Sequence, residues 1–331
     1  MGRASVARAR RKNSRMDIRQ LKYFVAVVDL GSLSKASERL SISQPSLSQQ
    51  VAGMEASLGT PLLLRSSSGM RPTEAGKTLY RHARTILRQF EQMRGEVTRG
   101  DRSEEGQVAV GLPTSAAAVL AVPLFIRLRE RYPGIQLQLF ESMSGYLIEL
   151  LANGRLDMAV LFRDTETRGI SVMPLRREEL CVFGAAHVGD AQSPVCPLAA
   201  LSGVPLVLPG GANGLRLLIE RAFAQAGLDL NVVADIDSLP TMLKLASRGH
   251  AGTILSAALA HEVRAEPLLA RRLVDPSITR PISLCLPNAL PRNAASLAVQ
   301  NTIVELVLEL TDTWDTGPSL TGPAAPPRRG T

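Results

Sequence analysis

Cysteine is nearly absent from the 331 residues, with only Cys181, Cys196 and Cys285 present. An odd, widely spaced set argues against a disulfide framework or a zinc site and for a reducing compartment. A redox pair of Cys181 and Cys196 stands beside the plainer reading of small buried residues on strands. Long apolar runs are also missing, and none approaches the roughly 20 residues that span a bilayer. The basic N-terminus lacks the apolar segment and cleavage site of an export signal, so a cytoplasmic location without a membrane partner is expected. The four histidines, His82, His187, His250 and His261, have no metal-ligand spacing and no carboxylate placed for zinc hydrolysis. There is no Walker phosphate loop, and Gly210 to Gly214 lacks the G-x-G-x-x-G spacing of a dinucleotide site. Ser32-Leu33-Ser34-Lys35 matches the S-x-x-K of acyl-enzymes, but the companion S-D-N and K-T-G motifs are absent. The expectation is a protein with no catalytic residues, no metal and no cofactor.

Acidic residues are scarce in the first hundred positions. Residues 1–100 hold 18 Lys and Arg against 7 Asp and Glu, while the other 231 hold 20 against 23, so the net +8 of the chain is concentrated at one end. Such a surplus suits a domain that neutralises phosphates and releases counterions, and it predicts salt-sensitive binding to double-stranded DNA. A solvated helix face is the bland reading of any one charge run. Here, however, the excess coincides with a helix-turn-helix pattern. Leu33, Ala36 and Leu40 recur at helical spacing, as do Leu47, Val51, Met54 and Leu58, giving two short helices with apolar faces for a shared core. Ser41-Ile42-Ser43 turns the chain between them. Pro45 suits the first turn of the second helix, and Ser43 can cap it.

The outward positions of that second helix are Gln44, Ser46, Ser48 and Gln49, short or amide side chains suited to base edges in a major groove. Gln44 can pair bidentately with adenine, and Pro45 can pack on a thymine methyl group. Arg65 and Arg71 bracket a wing where a guanidinium meets phosphate or enters a minor groove. Lys35 is a phosphate candidate, and Ser32 and Thr73 complete the candidate DNA set. For the charged residues, a solvated position without a partner remains the alternative.

Five segments in register carry a family resemblance. Leu21-Lys22-Tyr23-Phe24, Ala36-Ser37-Glu38-Arg39-Leu40, Ser43-Gln44-Pro45-Ser46-Leu47-Ser48, Leu58 through Arg65 and Thr73-Glu74-Ala75-Gly76 resemble the winged helix-turn-helix of LysR-type transcriptional regulators. The family usually has Phe where Leu63 stands and often a basic residue where Ser67 or Ser68 stands. The resemblance implies DNA contacts at Gln44 and Arg65, a dimer assembling to a tetramer, and RNA polymerase as a candidate partner. To about Leu310 the chain resembles the family's effector domain, a two-lobed α/β fold shared with type II periplasmic binding proteins. In that domain the resemblance adds Ser142, Met143, Ser144, Leu161 and Phe162 as lining residues of an effector cleft. Ser48-Gln49-Gln50-Val51, Pro72 through Lys77 and Leu156 through Val160 look most like the nitrogen-assimilation-control branch. A transport-type solute-binding protein is the competing reading. It would need an export signal and would not need residues 17–100.

The expected domains are a basic extension at 1–15 with Met16 as an alternative start, a winged helix-turn-helix at 16–74, a linker helix and hinge at 75–106, an effector domain at 107–314 and a tail at 315–331. A single long helix is predicted from Thr73, as its cap, to Arg99, with Gly95 marking its fraying end. On it Leu79, Ala83, Ile86, Phe90, Met93 and Val97 alternate steps of four and three, as in a coiled-coil dimer seam. An amphipathic helix packed on its own domain is the alternative. After a polar hinge, Gly100 to Gly106, strands and helices alternate, which predicts parallel sheets with helices on both faces. Strands are expected near Gln107 to Leu112, Ile135 to Phe140, Asp157 to Leu161, Glu179 to Phe183, Leu206 to Leu208, Val232 to Ile236, Gly252 to Leu255 and Ile282 to Leu286. Thr114-Ser115 and Gly210 through Asn213 each follow a strand and open a helix. Opposed across a cleft, two such helix N-termini favour a small anion, a carboxylate or inorganic oxyanion. Taken singly, Thr114 and Asn213 read equally well as ordinary caps and Gly210-Gly211 as a turn.

Overall fold

The structure, a computed structural model, describes residues 16–66, 69–99, 104–167, 169–184, 193–262, 268–288 and 292–309. The expected basic extension, Ser67 and Ser68 of the wing tip, residues 100–103 of the hinge, His187 and the tail lie outside the described residues. The chain divides into two compact units, the first made mainly of the first hundred residues and the second of most of the remainder.

In the first unit, α1 (Ile18–Leu30) starts at a capping box. The Asp17 carboxylate accepts the Gln20 backbone N–H, and the Gln20 side chain accepts that of Asp17. Ser32 caps α2 (Leu33–Leu40) and Ser43 caps α3 (Gln44–Leu58), each hydroxyl accepting a backbone N–H three residues on. The turn between them places Ser41 in the left-handed region, φ 54°. β1 (Leu63–Ser66) and β2 (Gly69–Pro72) pair as an antiparallel wing, and α4 (Glu74–Arg99) follows. Phe24, Ala36, Leu47, Met54 and Leu62 are sealed in one core, and each large apolar side chain buried in this way contributes about 1.5–3 kcal/mol. Leu58, expected on that face, is 45% exposed, because α3 ends there and Gly59 turns the chain away.

The long helix packs antiparallel along α1. Asp29, late in α1, accepts from the Tyr80 hydroxyl and pairs with Arg84 at 3.3 Å, while Lys22, early in α1, meets Glu91 at 2.8 Å. Burial, then the bond to Asp29, pushes the Tyr80 phenol up to about 12, so it remains a donor. Ala83 is fully buried in this core and Leu79 packs against it, as does Leu87. The first two positions of the expected seam are thus covered by the chain's own head. Gly95 lies within the helix, which runs on to Arg99.

The second unit begins with β3 (Gly106–Leu112), α5 (Thr114–Arg131), β4 (Ile135–Glu141), α6 (Ser144–Ala152) and β5 (Met158–Leu161). β3 is parallel to both β4 and β5. Its alternation sets the layers, with Val108, Val110 and Leu112 sharing a core with Leu120 and Leu124 of α5 and Val299 and Ile303 of the last helix. Ala109 instead joins Leu147, Leu150 and Leu151 of α6. Helices therefore cover both faces of this sheet.

The chain continues through β6 (Ile170–Gly184), β7 (Val195–Pro197), β8 (Leu206–Leu208), α7 (Gly214–Gln225), β9 (Val232–Asp235), α8 (Leu239–Ser247) and β10 (Thr253–Ser256). α9 (Leu259–Glu262), β11 (Leu269–Val274), β12 (Thr279–Pro287) and α10 (Ala294–Glu309) complete it. One sheet has the order β4-β3-β5-β12-β6-β11-β7, with β10 also on β6, while β8 and β9 form a parallel pair. The expectation of parallel sheets is corrected here, because β6 pairs antiparallel with β10, β11 and β12. β6 carries the chain from one lobe to the other and β12 brings it back, so the two must run in opposite directions. Their register shifts between Ile282 and Ser283, beside Pro174, where the ladder changes lobes.

Candidate functional site

The start of α3 stands clear of the head. Gln44, Pro45, Ser46, Ser48 and Gln49 are all exposed, whereas Leu47 and Val51 on the opposite face are buried. The Ser34 hydroxyl donates to the Gln44 amide oxygen at 3.1 Å, which orients the side chain and leaves its NH₂ to donate outward. Sequence reading missed Ser34, whose position in the first turn of α2 gave no sign of a contact ten residues on. Lys35 is exposed nearby, while the Ser32 hydroxyl oxygen is engaged in capping α2.

The wing is fixed to α3 and to α4. The Glu55 carboxylate accepts the backbone N–H groups of Leu62 and Leu63 at 2.7 and 3.1 Å. Thr73 accepts from Gly76 N–H at 2.9 Å and donates to Pro61 O at 2.8 Å, so its hydroxyl ties the wing to the long helix and is not left for DNA. At Gly76 a Cβ would lie 2.0 Å from Leu62 O, and at Gly69 (φ 115°) 2.5 Å from Gly31 O. Neither position accepts a side chain, which holds the ribbon close against the body of the head. In the pairing Arg65 stands opposite Met70 and Arg71 opposite Leu64, so the two exposed arginines point to opposite faces of the ribbon. A narrow groove entered edge-on by the wing could meet both; a flat phosphate contact could meet only one.

In the second unit the strand ends carry the other candidate residues. Thr114 and Ser115 open α5 after Pro113, which gives no side-chain cap. Ser142 N–H bonds to Leu112 O at 3.3 Å, bringing the Ser142-Met143-Ser144 stretch beside them. Met143 is 52% exposed. Leu161 is fully buried within the α6-side core and its side chain does not line a cleft; it lies on β5 with the sheet's inner residues. Phe162, next in the chain, is half-buried beneath the Arg280 guanidinium. Asn213 is a helix cap, its side chain accepting from Leu215 N–H at 2.9 Å, and the Gly210 N–H is taken by Asp237 at 3.1 Å. The Gly210 N–H and the Asn213 side chain are therefore engaged by local partners.

Sequence reading also missed the buried polar chain at the crossing strands. Ser115, Arg280, Glu178 and Ser256 are joined in series, with Glu178 and Arg280 buried and directly opposite on β6 and β12. The signal was present as a charged run, Arg176 to Glu179, set between apolar stretches. Among the described residues, no group of three or more His, Cys, Asp or Glu could hold a metal ion, and no helix is long and apolar enough to cross a membrane.

The cysteines are buried and apart. Burial pushes the Cys181 thiol up to about 12 and Cys285 to about 11, and raises Cys196. Cys181 is opposite Arg272 and Cys196 opposite Leu273, so β11 lies between their strands. Two strand spacings, about 10 Å, exceed the roughly 7 Å limit for a disulfide. The Cys181–Cys196 redox pair is thereby excluded without backbone rearrangement. Native protein at neutral pH should resist alkylation by iodoacetamide at all three thiols and react fully once denatured, as counted by mass spectrometry; a Cys181–Cys196 disulfide formed in folded protein would contradict the strand order.

A winged helix-turn-helix head and a two-lobed α/β unit joined by crossing strands define the class, a winged-helix transcriptional regulator with an attached binding-protein-like domain. The chain belongs to the LysR family. Residues 18–77 match the bacterial regulatory helix-turn-helix protein, lysR family, and residues 101–307 match the LysR substrate binding domain. The chain is 36% identical to the nitrogen assimilation regulatory protein nac of Klebsiella aerogenes over 295 residues, covering 88% of this chain and 95% of that protein. The nac protein of Escherichia coli K12 is 35% identical over 294 residues, with the same coverage. Among solved structures, a full-length OxyR from Pseudomonas aeruginosa matches with a TM-score of 0.72 at 20% identity, covering 88% of this chain and 94% of that one. CbnR, a LysR family transcriptional regulator, matches at 0.53 and 26%, covering 88% and 100%. The protein is thus a LysR-type transcriptional regulator and not an enzyme.

Proposed function

We propose that this regulator works in the cytoplasm as a dimer that assembles to a tetramer, reads its operator through α3 and the wing, and responds to a small anionic effector in the second unit. The observation that carries the DNA reading is the outward row Gln44, Pro45, Ser46, Ser48 and Gln49 on a helix whose other face is sealed. The concentration of positive charge in the first hundred residues supports it. Self-association is supported by two apolar surfaces that water would otherwise cover. One is the far part of the α4 stripe, Ile86, Met93 and Val97; the other is Val122, Phe125 and Ile126 on one face of α5. The printed name of the relatives at 36% and 35% identity supports control of nitrogen assimilation. Control of amino-acid metabolism and a contact with RNA polymerase at the promoter are part of the same proposal. Thr114, Ser115 and the strand-end loops around them are the effector residues on this reading, supported by the uncapped start of α5.

The test of the head separates positioning from reading. Arg65→Ala should weaken specific and nonspecific DNA alike and reduce the slope of log affinity against log salt by about one. Fluorescence anisotropy across a salt series measures it, and an unchanged slope would remove Arg65 from the phosphate contacts.

A further inference from the structure

We propose that Arg280 reads a carboxylate on the effector, with Glu178 as its positioning residue; the inference rests on the reading of the second unit's cleft as an anion site. Arg280 on β12 lies directly opposite Glu178 on β6, on the two strands shared by the lobes. Its Nε donates to Glu178 Oε1, and Nη2 donates to Ser115 Oγ at 3.0 Å. The Phe162 ring covers one face of the guanidinium, its centroid 3.4 Å from the central carbon. Glu178 Oε2 accepts from the Ser256 hydroxyl at 2.6 Å, so both carboxylate oxygens are engaged.

The donors outnumber the acceptors. A guanidinium has five N–H groups, and two of them find partners among the described residues. The side chain is 7% exposed, and the accessible part is where the remaining N–H groups lie, since no Arg280 nitrogen is both sealed from solvent and unpaired. Ser115 has accepted from Arg280, which leaves its own O–H to donate. Behind it, the first-turn amides of α5 have no side-chain acceptor. Three kinds of donor meet where the one carboxylate is already used. A planar group with two acceptor oxygens fits the remaining edge of the guanidinium, which is bidentate carboxylate recognition. Glu178 offsets the guanidinium charge, so a carboxylate here is held by the directed N–H and O–H donors and works against the Glu178 charge.

Calorimetric titration of the full-length protein with succinate, benzoate and sulfate, and with succinamide and benzamide as uncharged controls, tests this. At least one carboxylate should bind and its amide should not. Arg280→Lys keeps the charge but loses the fork, and should weaken that binding tenfold or more with an unchanged circular dichroism spectrum. Glu178→Gln keeps an acceptor for Nε but deletes the opposing charge. It should tighten carboxylate binding several-fold, where a merely structural role would weaken it, so the inference remains testable even if Arg280→Lys fails to fold. Binding that falls in Thr114→Val but ignores both other variants would leave the cleft standing and overturn Arg280's part. Sulfate binding tighter than either carboxylate would overturn the planar fork. No binding by any probe would overturn the anionic cleft itself, and this inference with it.

Discussion

Ile86→Glu should split the regulator into monomers that keep their folded units and lose operator affinity. Ile86 is 42% exposed on α4, in the stripe that continues through half-buried Phe90 to exposed Met93 and Val97. Its neighbours Leu79 and Ala83 are held by the head's own core, so the seam proper would begin at Ile86. Symmetry would bring two introduced carboxylates together in an apolar seam, at a desolvation cost of several kcal/mol per ion before their repulsion. About 4 kcal/mol is roughly three decades in a dissociation constant. Ile86 makes no part of the buried head core, so melting of the monomer should change little. Sedimentation velocity reads the mass directly; a variant that keeps the wild-type mass and still binds DNA would place the interface elsewhere.

Gln44→Ala should erase most of the operator's advantage over random DNA while sparing nonspecific binding. Truncation removes both amide functions at once, and a base edge left unpaired costs about 1–3 kcal/mol per half-site. The bond from Ser34 pre-orients this amide, so Ser34→Ala should show a smaller loss of the same kind. Competition between operator and random duplex at fixed salt measures the ratio. If the ratio is unchanged in Gln44→Ala, α3 does not read that base.

What was legible in the sequence was local. Ser43, Pro45 and the spacing of Leu47, Val51 and Met54 specify α3 through capping and periodicity within one short stretch, and the structure places them so. The seam stripe was legible as a stripe but not as two surfaces, because a helical repeat cannot tell a partner's core from the chain's own. β6 was recognised only from Glu179 onward, since Pro174 and the charges from Arg176 to Glu179 break an apolar pattern that is in fact one strand of 15 residues. The Arg280 to Glu178 pair joins positions 102 residues apart, and nothing in either neighbourhood reveals the other. Thr73 and Asn213 show the opposite case, residues whose capping chemistry was visible and sufficient.

The central claim is that a symmetric dimer reads bases through α3. Selection of duplexes from a random pool by the full-length protein, followed by sequencing, tests it most directly. A dyad-symmetric pair of half-sites is expected, each with one adenine position that loses its preference when Gln44 is replaced by alanine. Enrichment of a single asymmetric sequence, or identical preferences in both proteins, would contradict it.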